Sequence, residues 1–330
     1  MKTLRNSLLL VFVSVILSVP VFADSAGGAG AYLKMGVGAR ALGMGSAFVG
    51  VANDATAAFW NPAGLALLEK PEASFMHANL TLDRKYNFFN YAHILKDKNG
   101  KKKAVVALSH ARFGIDGIPE TRLAEIDQNG NPVSDLPATR VDQTTGRPMY
   151  VPGENVYIFS YFDDVEMNTF GSYARKMGKK FYGGVNVKRL SQTLFTNAAT
   201  TWGMDLGFLY EASEKSRIGL AIRDIGESLK WDTESGQSDK VPLTTTFGAS
   251  YQPTKKITLA ADLNKVQDMD MKFRAGAEYW LGEMAALRLG SHEGDLTLGA
   301  SFKLQSWRFD YSYVDETLGA AHRMSAMLQF

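Results

Sequence analysis

From residue 71 to the C-terminus, apolar and polar side chains take turns along the chain. Ile257, Leu259, Ala261 and Leu263 interleave with Thr258, Ala260, Asp262 and Asn264, and the same beat runs through Phe273 to Leu281, Leu296 to Gln305 and Trp307 to Tyr313. A period of two puts one set on each face of a β-strand. The runs last about 9 to 12 residues, longer than an ordinary soluble strand and matched to a tilted crossing of a bilayer. Lipid then takes the apolar face and a wet interior the polar one, as in an outer-membrane barrel.

Fifteen such segments can be drawn between residues 71 and 330, whereas single-chain bacterial barrels have even strand numbers. Short turns such as MGKK (177–180), QPTKK (252–256) and LGEM (281–284) alternate with longer polar connections such as WDTESGQSDK (231–240). For the short turns to share one end, residues 114–165 must form one long external loop, with ENVYIFSYFD (154–163) as a hairpin arm inside it. The expectation is all-β: a 14-stranded antiparallel transmembrane β-barrel over residues 71–330.

The first 23 residues join Lys2 and Arg5 to an apolar run that ends on small residues. This is the pattern of a secretory signal peptide cut near Ala23, and with the strand pattern it predicts location in a cell outer membrane. The chain has no cysteine, which removes disulfides, thiolate metal sites and a cysteine-borne lipid anchor. After residue 23 no apolar run reaches the roughly 18 residues that a membrane helix requires. A formal net charge of +2 points to no nucleic-acid partner, and KNGKKK (98–103) reads as a solvated turn. His77, His93, His110, His292 and His322 belong to no nucleophile elbow or metal-binding HExxH motif. No enzyme activity, cofactor or metal is therefore expected.

Residues 24–70 are rich in Gly and Ala. Within them GVGARA (36–41) fits the dinucleotide-binding pattern, but DSAGGAGAYLKM before it is too small and polar to be the buried strand that pattern requires. Fourteen strands enclose a bore that side chains alone do not fill. Small residues let a chain fold compactly inside it, so 24–70 is expected to be a lumen plug, or hatch. In that plug Arg40 and Asp54 should pair with each other or meet lumen charges, because buried unpaired charge is costly. Asn53 and Asn61 should bond backbone groups in tight turns, and Pro62 should fix the exit toward the first strand.

GVGARALGMGSAFVGVANDATAAFWNPAGLALL (36–68) resembles the N-terminal hatch of the long-chain fatty acid transporter (FadL) superfamily, and is more similar still to its PorV/PorQ branch. The resemblance implies a fourteen-stranded barrel plugged by that hatch. It also implies passive transport of a hydrophobic, fatty-acid-like small molecule across the outer membrane. In the PorV-like branch the implied role is instead a docking or shuttle component of a protein secretion system, with loop 114–165 as its platform. A transporter should keep an apolar pocket behind the hatch; a docking protein should have a sealed lumen. The terminal Phe330 resembles the signal read by the outer-membrane assembly machinery. Arg274, Arg288 and Arg308 fall on the predicted lumen face with Glu278 and Asp310. They could hold a ligand carboxylate or form an internal charge network. The expected partners are outer-membrane lipid, the hydrophobic ligand, the assembly machinery and secretion-system proteins.

Overall fold

The computed structural model describes residues 29–123, 150–151, 156–234, 236–316 and 319–330. The expected signal peptide and the middle of the 114–165 segment lie outside them. Strands β1 (Glu72–Asn79), β2 (Arg84–Lys96), β3 (Lys102–Leu123), β4 (Val156–Lys176), β5 (Phe181–Leu194), β6 (Asn197–Ser213) and β7 (Ser216–Ile225) make the first half. The second half is β8 (Thr244–Thr254), β9 (Ile257–Val266), β10 (Met271–Leu281), β11 (Ala285–His292), β12 (Asp295–Leu304), β13 (Trp307–Glu316) and β14 (Gly319–Gln329). Each pairs antiparallel with the next, and β14 returns to β1 in a register running from Glu72 opposite Gln329 to Asn79 opposite His322. The result is a closed 14-stranded barrel whose wall has no free edge. Short strands Ser228–Trp231 and Ser238–Lys240 form a ribbon between β7 and β8, attached to β6 through Ala199 and Thr200.

Alternation along the strands separates two environments. On β1, Met76 is buried while its neighbour Phe75 is 49% exposed. Phe89, Leu108, Trp202, Leu287 and Leu298 likewise stand outward and exposed on other strands. An outer surface this apolar is stable against lipid and not against water.

The two described ends of the 114–165 segment are strand. β3 and β4 run past their wall neighbours and stay paired with each other, from Ile118 opposite Phe162 to Leu123 opposite Val156. The arm and the wall strand are one continuous strand of 21 residues. Two facing segments of strand-forming residues complete each other's ladder, with the expected arm at 154–163 supplying one of them.

Residues 29–68 lie inside the ring and touch it on opposite sides. The segment is four short helical turns, Ala31–Met35, Ala39–Gly43, Ala57–Trp60 and Pro62–Leu67, joined by tight bends. A methyl group at Gly276 would come 2.2 Å from the Met44 carbonyl oxygen, and one at Gly290 would come 2.3 Å from the Gly45 nitrogen. Across the bore, a methyl at Gly184 would come 2.4 Å from the Pro62 carbonyl carbon. Glycine weakens a strand unless another backbone must approach closely, and here the inner segment does.

Irregular chain cannot satisfy its own backbone, so wall side chains do it. Asp262 of β9 accepts from the amides of Phe48 (2.9 Å) and Val49 (3.0 Å). Glu72 accepts from Ala55 (2.8 Å) and Thr297 from Gly45 (2.9 Å). Ser325 accepts from Ala39 (2.8 Å), and Asn186 donates to the Ala58 carbonyl (2.8 Å). At the exit, Lys102 Nζ donates to the carbonyls of Ala66 (2.9 Å) and Leu68 (2.8 Å).

Gly276→Val should dislodge the inner segment while the barrel stays closed. Limited proteolysis is expected to cut between residues 36 and 68 in this variant but not in the wild type, with both still running as compact species on unboiled gels. Gly171→Val, where an added Cβ meets nothing within 4 Å, should behave as wild type.

Candidate functional site

The inner segment and the wall meet in a closed cycle of alternating charges. Arg40 donates through Nε and Nη2 to the two oxygens of Glu278, both at 2.9 Å, a two-pronged geometry that only a guanidinium supplies. Its Nη1 reaches Asp54 Oδ2 at 3.0 Å. Asp54 Oδ2 also receives Arg308 Nη2 at 2.9 Å, and Arg308 Nε reaches Asp310 at 2.9 Å. Asp310 lies 3.4 Å from Arg288 Nη2, and Arg288 Nε returns to Glu278 at 2.8 Å. Ser301 bridges Arg288 and Asp310 by hydrogen bonds to each.

These contacts join three cations to three anions. All six residues are at least nine-tenths buried. Burial alone would raise the Asp54 carboxyl, but Arg308 and Arg40 overcome it and hold it at about 2. The inner segment contributes one charge of each sign, Arg40 and Asp54, and the wall two of each. Both sides are thus neutral by themselves.

Other residues expected at this site fall into place around the cycle. Asn53 Oδ1 accepts from Arg40 Nη1 (2.7 Å) rather than from a backbone group. Asn61 does bond backbone: its amide donates to the carbonyls of Val49 and Phe208, both at 3.0 Å, and its oxygen accepts from Ala63 (3.2 Å). Pro62 opens the last helical turn before β1. Arg274 stands apart from the cycle and donates to Glu293 at 2.9 Å. Phe330 is exposed, its amide bonded to the Pro71 carbonyl (3.0 Å) and its ring 6.1 Å from that of Tyr91.

A second buried cluster escaped sequence reasoning. Lys188 Nζ lies 2.8 Å from Asp205 and 2.9 Å from Glu227, and also contacts Asp224. Oxygens of the three carboxylates come within 4.8 Å of one another. Their linear spacing, across two strands and a loop, hides this. The ammonium of Lys188 occupies the place a metal ion would take. Asp262 and Glu72, which hold the inner segment's amides, were also missed. The one available signal was that each is an acid on the inward parity of its strand.

Two cavities among the described residues are small. A cavity of about 60 Å³ lies beside Gly30, Lys34, Arg223, Val241, Arg274 and His292, and a second of about 10 Å³ lies beside Arg40 and Arg308. A cavity of about 150 Å³ is the scale that admits benzene. The larger of the two is below that and is lined partly by charge.

No protein-family model and no curated protein sequence matches the chain. Among solved structures it is similar to a FadL homologue of Pseudomonas aeruginosa, at 14% identity over 94% of this chain and 99% of that one, with a TM-score of 0.56. It is also similar to the monoaromatic hydrocarbon channel CymD, at 13% identity over 90% of this chain and 98% of that one, with a TM-score of 0.59. The toluene transporter TodX of P. putida matches at 12% identity over 89% of this chain and 99% of that one, with a TM-score of 0.55. At these identities the likeness is one of fold.

The Asp54 carboxyl gives a pH test. Its folded value of about 2 lies below the reference 3.8, so its stabilisation is complete above pH 4 and is lost as pH falls through 2. Asp54→Asn should lower stability at pH 7 by on the order of 2 kcal/mol, with the deficit shrinking between pH 4 and pH 2. Urea unfolding in lipid vesicles at these pH values checks it; a deficit that does not change with pH contradicts it.

Proposed function

We propose that this chain is a passive outer-membrane channel for hydrophobic small molecules, of the FadL superfamily, held closed in the conformation described. The observation that carries this reading is the separable stopper. The bore holds a segment whose ion-pair cycle with the wall stays balanced on each side if the two part. Withdrawal of residues 36–68 leaves Arg288 paired with Glu278 and Asp310, and Arg308 with Asp310. Arg40 and Asp54 leave as a pair. Stranded buried charge would make opening prohibitive, and this arrangement avoids it. The similar structures include channels described as carrying monoaromatic hydrocarbons and toluene, which supports an apolar cargo here.

In this reading residues 1–23 direct export, residues 24–70 are the hatch and Phe330 is the mark read during outer-membrane assembly. The cargo is fatty-acid-like or aromatic. The charge cycle serves the hatch and not a ligand carboxylate, since each of its guanidiniums already faces an acid.

A second reading, a PorV-like docking component of a secretion system, is favoured by the small interior space and by the ribbon that β3 and β4 extend beyond the wall. Purification from outer membranes, followed by mass spectrometry of whatever accompanies the protein, separates the two. The channel reading predicts a retained apolar small molecule and no stoichiometric protein partner. A reproducible secreted partner with no such molecule would reverse the order.

A further inference from the structure

The turns β2–β3, β4–β5, β6–β7, β8–β9, β10–β11 and β12–β13 share one end of the barrel, and its charge is far from the near-neutral average of the chain. Around the β2–β3 turn stand Lys96, Lys98, Lys101, Lys102 and Lys103, with Asp97 as the acid among them. Around the β4–β5 turn stand Arg175, Lys176, Lys179 and Lys180, with no acid between them. The two turns are neighbours, because β3 and β4 pair with Val105 opposite Ala174. All nine of these basic residues are exposed. Among the described residues, the connections at the opposite end carry Asp83, Asp232, Glu234, Asp268, Asp270 and Glu293, with Lys230 and Lys240 in the ribbon between β7 and β8.

The basic patch borders the apolar exterior. Leu95 precedes it, Met177 lies within it at 61% exposure, and Phe181 follows at 38%. Lysines at such a border lay their stems along the apolar surface and place the ammonium at the height of lipid phosphates. Two of the nine turn their ammoniums inward instead, Lys176 over the buried Tyr182 ring (5.0 Å) and Lys102 to the Ala66 and Leu68 carbonyls, and are not part of that border. A water-soluble polyanion would account for the charge but not for an exposed Met and Phe among it.

We propose that the turns at 96–103 and 175–180 form a binding surface for anionic phospholipid headgroups in the leaflet bordering this end of the barrel. The sequence alone marked KNGKKK as a solvated turn; its place beside a second basic turn and an apolar edge gives it a ligand. The proposal rests on the membrane reading above, and the test keeps the two apart.

The full chain is placed in lipid nanodiscs of equal phosphatidylglycerol and phosphatidylcholine, then extracted, and the retained lipids are counted by native mass spectrometry. The wild type should retain phosphatidylglycerol over phosphatidylcholine by on the order of fivefold for even one engaged site, less at high salt. The variant Lys98→Gln/Lys101→Gln/Lys103→Gln/Lys179→Gln should retain them in the bulk ratio. Equal retention by the wild type, or enrichment that survives the substitutions, overturns the proposal. So does unselective lipid retention together with an acidic protein that accompanies the wild type and not the variant. Failure of the wild type to enter the bilayer, read separately as the absence of a mobility shift on boiling, would overturn the membrane reading instead.

Discussion

A chain segment without regular structure can occupy the inside of a barrel only if the wall answers each of its buried polar groups, and the rest of this structure depends on that constraint. Its sharpest expression is the charge cycle. Arg40 has no acid of its own helical turn to bind; it reaches Glu278 on β10, and Asp54 is reached in return by Arg308 on β13. The pairings cross from the inner segment to a wall built more than two hundred residues later in the chain. They fix the segment's position more sharply than packing of its small residues does, because bidentate geometry tolerates little displacement. Around this anchor, Asp262, Thr297, Glu72 and Asn186 each take backbone groups of the same segment.

The energetics of this interface bear on the proposed release of the segment. Buried ion pairs contribute little net stability compared with well-packed apolar residues, yet breaking one side alone costs several kcal/mol. A cycle divided into two neutral halves escapes the second penalty when the halves part as units. The wall glycines let the two backbones touch at Gly184, Gly276 and Gly290, while Tyr32 of the inner segment packs on Phe113 and Tyr86 of the wall.

The wall was largely legible in the sequence because a barrel strand exposes its two faces to opposite solvents, and every second residue records which. The strands expected at 255–267 and 271–281 agree closely with β9 (Ile257–Val266) and β10 (Met271–Leu281). The lumen charges were legible for the same reason: Arg274, Glu278, Arg288, Arg308 and Asp310 all occupy inward positions and are buried. What remained hidden was which of them would meet. Strand pairing sets register between residues far apart in the chain, so Arg288 and Arg308 joined one cycle with Arg40 while Arg274 turned to Glu293. The Lys188 cluster depends on a bulge where β7 shifts register against β6, between the Met204–Ile225 and Leu206–Ile222 pairs, and no local pattern announces that. The ribbon of β3 and β4 was legible only as a hairpin arm at 154–163 inside a long loop, because the even strand count and the shared end of the short turns say how many crossings there are and not how far a strand runs beyond the wall.

Hydrogen exchange of the full chain in lipid nanodiscs, followed peptide by peptide, tests most directly whether the wall holds the inner segment through this interface. Peptides from residues 36–68 should be protected to the same degree as those of β10 and β13, because their amides and charges are met by these and other wall strands. Exchange of 36–68 within seconds, while the strands stay protected, would contradict the account.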